Sequence, residues 1–432
     1  MLASGLGVLS ALLALQGATE FEAGARIEAR AGEVPVGTAS AGSASVEQKQ
    51  VILAATPLVG LHRSGEESEA RAISATRIFW RPVPLLESRP LFLETLDTSF
   101  LSRPNRRGRF QLALRGSYGE EDYSLLSQQF VGQPTLPPVR TLLTLNAAGD
   151  ASWRESRRTT LTLLLAATHL RTPDRQVVNN GDASSTSPGL SLPATPTQTL
   201  ITVTPGVHYA LDRRSNVEAL LGLGETDIQG FQVGNSSARM NVLTLQPQLG
   251  LVRDLSRNQQ VRAVAGLTYA AVLINPDKNR NWLPLTPLCR IDLASLLWRT
   301  RASTLRSSLG AGTAWYGDPV LGAAVLRGMT EARLDAQLGL RWSAGAHAAF
   351  TADLNTPLAP ARTGDVVPDE TMVLVEVPIR YRWSTQLDVE FGARYVERAP
   401  NLAAADFAWH NRELWAFLTL LTTTSRPARP RS

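Results

Sequence analysis

Cysteine is almost absent from this 432-residue chain, in which Cys289 stands alone. A single thiol excludes an internal disulfide framework and any metal site built from several cysteines. Lysine is as scarce: only Lys49 and Lys278 occur, so arginine supplies the rest of the 43 basic residues. Against 38 acids the formal net charge is +5. The arginines are dispersed, many of them in short turns such as Arg157–Arg158 and Arg213–Arg214. A nucleic-acid surface would cluster them with stacking aromatics, so no nucleic-acid partner is expected. No run approaches about 18 consecutive apolar residues, which excludes an ordinary transmembrane helix. At 44% hydrophobic and 19% charged residues the chain is too apolar to be disordered.

Catalytic motifs are missing too. His62, His169, His208, His347 and His410 never adopt the H-E-x-x-H spacing, and neither a G-x-S-x-G elbow nor a phosphate-binding loop occurs. A membrane hydrolase would need Ser or Asp beside a histidine. His169 lies near a long loop, but nothing names its partner. No enzyme, metal or cofactor is expected.

The ends differ from the middle. Residues 1–19 hold an apolar stretch from Leu6 to Leu15 followed by small residues, which reads as an export signal peptide. Residues 20–424 form the folded body. Residues 425–432, SRPARPRS, are basic and proline-rich and read as a solvated, disordered tail.

The body alternates at period two. In 141–153 the odd positions include Leu143, Leu145, Ala147 and Trp153, and the even ones Thr144, Asn146, Asp150 and Ser152. The pattern returns at 201–212, 332–342, 373–383 and 385–395. Alternation marks a strand with one apolar and one polar face. These segments run about 11–16 residues, where soluble strands average about 5–6 and membrane-spanning strands need about 9–11. Short connections near 155–158, 212–215, 255–258, 342–344 and 383–386 interleave with long ones near 119–138, 171–197, 276–285 and 355–370. Barrels of the bacterial outer membrane show this order, with short periplasmic turns and long outer loops. The expected fold is all-β: a transmembrane antiparallel up-and-down barrel of about 18 strands, 16 as fallback. An even count puts both termini on the periplasmic side.

With the apolar face toward lipid, the polar face lines the lumen. Its candidate lumen residues are Arg333, Asp335, Arg341, Glu376, Arg380, Arg382, Asp388, Glu390 and Arg394. A three-residue loop at Ser384–Gln386 sets Trp383 opposite Leu387. Arg382 then pairs with Asp388, Arg380 with Glu390 and Glu376 with Arg394. Aromatics near strand ends read as girdles at the lipid boundary: Trp80, Trp153, Tyr209, Tyr269, Trp298, Trp315, Tyr316, Trp342, Trp383, Tyr395, Trp409 and Trp415. Cys289, between Leu288 and Arg290, is expected to face lipid as an inert apolar residue.

The stretches Arg77–Trp80 and Ser117–Tyr123 and the arginine-bearing turns resemble those of outer-membrane β-barrel proteins of myxobacteria and related Gram-negative bacteria. A subset of that group is linked to polysaccharide export beside a periplasmic partner. Many such barrels end on an aromatic residue, whereas here a tail follows Trp415 and Phe417. The resemblance implies an outer-membrane channel for polar solutes or secreted polysaccharide, with outer-membrane lipid and a periplasmic export protein as partners. The alternatives are a non-conducting surface barrel acting as receptor, adhesin or scaffold, and an outer-membrane enzyme.

Overall fold

The computed structural model describes residues 18–36, 46–80, 90–122, 139–171, 197–233, 236–275, 279–318, 323–357, 369–401 and 411–423. Most of the leader, the basic tail, Trp409, His410 and the greater part of three long connections lie outside the described residues. The first strands in chain order are β1 (Ala18–Val36), β2 (Val46–Ser64), β3 (Ser68–Trp80), β4 (Leu91–Ser102), β5 (Gly108–Asp122) and β6 (Val139–Arg154). Next come β7 (Thr159–Arg171), β8 (Thr197–Ala210), β9 (Ser215–Val233), β10 (Ser236–Ser256), β11 (Gln259–Asn275) and β12 (Asn279–Trp282). The last are β13 (Thr286–Arg299), β14 (Thr304–Asp318), β15 (Ala323–Leu338), β16 (Trp342–Pro357), β17 (Asp369–Arg382), β18 (Leu387–Asn401) and β19 (Asn411–Thr423).

Apart from β12 and β13, which both pair with β11, each strand pairs antiparallel with its neighbour, and β1 also pairs with β19, so the sheet closes on itself. The barrel has 18 staves, as the alternation predicts, because β12 and β13 together make one of them. β12 pairs Trp282 with Ala271, and β13 resumes with Thr286 opposite Thr268. Three residues, Leu283 to Leu285, thus oppose two on β11. Pro284 has no N–H to donate, and the stave bulges around it. This corrects the long loop expected at 276–285. The Pro, Asn and Asp of that stretch resemble a loop, yet pairing resumes at Asn279.

The connections sort by end. At one end the turns span 65–67, 103–107, 155–158, 211–214, 257–258, 300–303, 339–341 and 383–386. Polar side chains make them tight. The Ser156 hydroxyl accepts the N–H groups of Arg158 and Thr159, and Ser384 accepts those of Gln386 and Leu387. Asn105 and Asp212 do the same through carboxamide and carboxylate oxygens. β1 starts and β19 finishes at this turn end. The connections of the other end, the loop end, lie largely outside the described residues.

Alternation builds two faces. The large exposed apolar side chains, among them Phe21, Ile27, Leu145, Ile201, Leu249, Phe350 and Leu418, share one face. A broad apolar exterior is tolerable only against lipid, because a soluble surface exposes no such continuous band. Trp153, Tyr209, Trp298, Trp342 and Trp383 stand exposed near the turn end, and Trp80, Tyr118 and Trp282 toward the loop end. Trp342 and Tyr381 pack with ring centroids 4.5 Å apart and planes tilted by 41°. These are the two girdles. Trp415 does not belong to them: it is buried on the opposite face with Ile52, Phe79, Leu91 and Leu93. Its ring lies over Gly32, where a β-carbon would stand 2.6 Å from it.

Candidate functional site

The opposite face carries the charge. Strand register places Arg333 and Asp335 of β15, Glu376, Arg380 and Arg382 of β17, and Asp388, Glu390 and Arg394 of β18 on it. The predicted β17–β18 register is the observed one: Arg382 opposes Asp388, Arg380 opposes Glu390 and Glu376 opposes Arg394. The Trp383 N–H donates to the Leu387 carbonyl at 3.0 Å and closes the hairpin. Side-chain contacts run diagonally, however. The Arg380 guanidinium bonds Asp388, with Arg382 also 3.7 Å from that carboxylate. Arg333 bonds Asp335 on its own strand at 2.8 Å.

Arg341 departs from the expectation. Gly339 adopts φ +67°, and its N–H donates to the Ser303 hydroxyl at 3.0 Å. That left-handed residue ends β15 at Leu338, so Arg341 sits in the turn. Its guanidinium donates to the Tyr381 hydroxyl at 3.4 Å, beside the aromatic girdle.

The best-buried charges lie elsewhere on this face. Glu22 accepts from Arg71 at 2.7 Å, Glu218 from Arg262 at 2.7 Å, and Asp353 from Arg327 Nε and Nη2 at 2.7 and 2.6 Å. Two of these pairs skip a strand. Glu22 on β1 reaches Arg71 on β3 across Gly60, and Glu218 on β9 reaches Arg262 on β11 across Gly250. Strands lie about 4.8 Å apart, so the side chains span roughly 10 Å along the wall. A side chain on the intervening residue would block that path: at Gly250 a β-carbon would stand 2.4 Å from Glu218 Cγ. Sequence reading missed the two strand-skipping pairs because they are not adjacent-strand partners. The available signal was a polar-face glycine between an acid and an arginine.

Composition along the same face is zoned. Arg, Asp and Glu dominate it toward the turn end, and the pairs Arg327–Asp353 and Arg77–Glu28 carry charge on toward the loop end. Toward the loop end it carries Leu142, Ile228, Met240, Val242, Val272 and Val325, all essentially without solvent exposure. Ile228, Met240, Val242 and Val272 pack as one cluster. Among the described residues no group of three metal-ligating side chains converges.

No family model and no curated protein matches the chain. Solved structures do match it in fold. The FrpB iron transporter from Neisseria meningitidis, in its apoprotein form, superposes with a TM-score of 0.51 at 10% identity, covering 95% of this chain and 67% of that one. The ferric citrate transporter FecA gives 0.47 at 10% identity, over 91% of this chain, which spans 63% of FecA's length. Pseudomonas aeruginosa OpdQ gives 0.40 at 11% identity, over 93% of this chain and 97% of its own. At such identities the likeness is one of fold: a closed antiparallel barrel of the kind that crosses the outer membrane.

Proposed function

We propose that the chain is an outer-membrane channel that passes polar solutes, with its termini and short turns in the periplasm. The observation that carries the reading is the charged face of a closed barrel whose other face is apolar. Lipid accepts only the apolar face, which leaves the ion-paired face, including Arg333, Asp335, Glu376, Arg380, Arg382, Asp388, Glu390 and Arg394, to line an aqueous lumen. Eighteen strands tilted by about 40° give a backbone diameter of roughly 36 Å, and barrels of this size leave room for water. Short turns mark the periplasmic end in such barrels, which is why the termini are assigned there. The same wall would suit a hydrophilic polysaccharide delivered by a periplasmic export protein.

One observation favours a second reading, a barrel that does not conduct at rest. The buried apolar cluster that the charged face carries at the loop end is what a closed mouth would require. Planar-bilayer recording of the refolded protein separates the two. Stable steps of conductance support the channel. A folded barrel without steps refutes free passage and leaves a receptor, a scaffold or a conduit opened by its partner. Loss of surface polysaccharide on deletion of the chain would select export; unchanged polysaccharide would exclude it.

A further inference from the structure

We propose that the lumen wall offers guanidinium groups, rather than carboxylates, to the solute, and that the channel selects anions bearing carboxylate, sulfate or phosphate oxygens. The inference deepens the channel reading above and rests on it.

Arginines and carboxylates occur on the polar face in similar numbers, so a charge count predicts no preference. Depth breaks the tie. The Glu22 side chain is 4% exposed and its partner Arg71 38%. Glu218 is 3% exposed under Arg262 at 44%. Asp388 is 6% exposed beneath Arg380 at 44%. Asp353 under Arg327 and Glu28 under Arg26 follow the same order. The cause is side-chain length. An Asp or Glu carboxylate ends close to the backbone, whereas the three-methylene stem of arginine carries its charge out over the acid. The outermost charge is therefore positive at pair after pair. Arg290 and Glu331 are level at 41% each, and among the described pairs one place runs the other way: His62 is buried beneath the more exposed Glu20 and Glu69 at the turn end of β1–β3.

The chemistry of the exposed group sets the ligand class. Guanidinium has five N–H donors, and a wall carboxylate occupies only one or two of them. The remaining donors form a planar fork matched to two oxygens of an oxyanion. Arg306 on β14, in register with Asp335, is exposed and bonds no described residue. Lysine, which would act only as a point charge, is absent from the described positions of this face. Water-filled walls of one accessible sign concentrate the opposite ion by severalfold or more.

The test uses two readouts. In planar bilayers under a tenfold KCl gradient, the reversal potential should carry the sign for chloride, with a permeability ratio of chloride to potassium of at least about 3. Replacing the pair Arg306→Gln and Arg333→Gln should bring that ratio toward one. Neither change strands a buried acid, since Asp335 is itself 48% exposed. Arg239→Gln, on the outer face near the loop end, should leave the ratio unchanged. Steps with a ratio at or below one overturn the inference and leave the channel reading intact. The second readout needs no conductance. Phenylglyoxal modification of Arg262, Arg306 and Arg380 in the refolded barrel, followed by mass spectrometry, should slow severalfold with galacturonate and not with galactose. Equal rates overturn the inference. Protection without conductance would uphold the guanidinium wall and refute free passage instead.

Discussion

The strand-skipping pair on β9–β11 makes a quantitative prediction. Glu218 is almost fully buried; one oxygen accepts from Arg262 at 2.7 Å and the other lies 3.5 Å from His208 Nδ1. Arg262→Met removes the principal partner and leaves a carboxylate against the wall. Breaking a fully buried pair costs about 3–5 kcal/mol. Arg262 is 44% exposed and His208 stays within reach, so solvent screening reduces the expected cost to about 2 kcal/mol. Glu218→Gln in the same chain removes the stranded charge, and the double variant should return to within about 1 kcal/mol of the parent. The cycle would thus show coupling of about 1–2 kcal/mol. Gly250→Ala should act like the first change, because the added β-carbon would stand 2.4 Å from Glu218 Cγ. Its cost should shrink when Glu218 is alanine. The assay is urea unfolding of the barrel in lipid vesicles, followed by tryptophan fluorescence. If Arg262→Met costs no more than the double variant, the pair does not hold the wall as argued.

Two further outcomes follow from packing and from the turns. Ile228 is fully buried with Met240, Val242 and Val272, so Ile228→Ala should cost about 2–5 kcal/mol in the same unfolding assay. A cost below about 1 kcal/mol would mean that the zone is hydrated. In the β8–β9 turn the Asp212 carboxylate accepts the Arg214 N–H at 2.6 Å, which holds its carboxyl below the usual aspartate range. Since the folded group is the stronger acid, its contribution is complete above the ordinary aspartate value. It is lost as pH falls through the lowered folded value. Exchange of the Arg214 amide, corrected for intrinsic rate, should therefore speed up on acidification to about pH 3, and Asp212→Ala should remove that dependence.

How much of the molecule was legible in the sequence depended on whether a feature is local. Strands such as Val139–Arg154 read out exactly as period-two segments, because side-chain direction alternates whatever the neighbours are. The β17–β18 register was legible because a short loop and three charge pairs admit one alignment. β12 was not, since Pro and Asn in 276–285 imitate a loop and only pairing with β11 shows otherwise. Arg341 was misplaced because the end of β15 is decided by one left-handed glycine within a continuing alternation. Trp415 was read as girdle because strand-end position alone does not tell which face a side chain takes.

By itself the sequence determined that this chain makes long two-faced strands, about 18 of them, and which residues of β17 and β18 share the polar face. Those are consequences of backbone geometry and the hydrophobic effect acting over a few residues. Only the tertiary structure decided which charges meet. Glu22 finds Arg71 and Glu218 finds Arg262 over an intervening strand, and the acids lie beneath the arginines. Closure decided it, because curving the sheet brings next-nearest strands within reach of long side chains, a distance that no local pattern encodes.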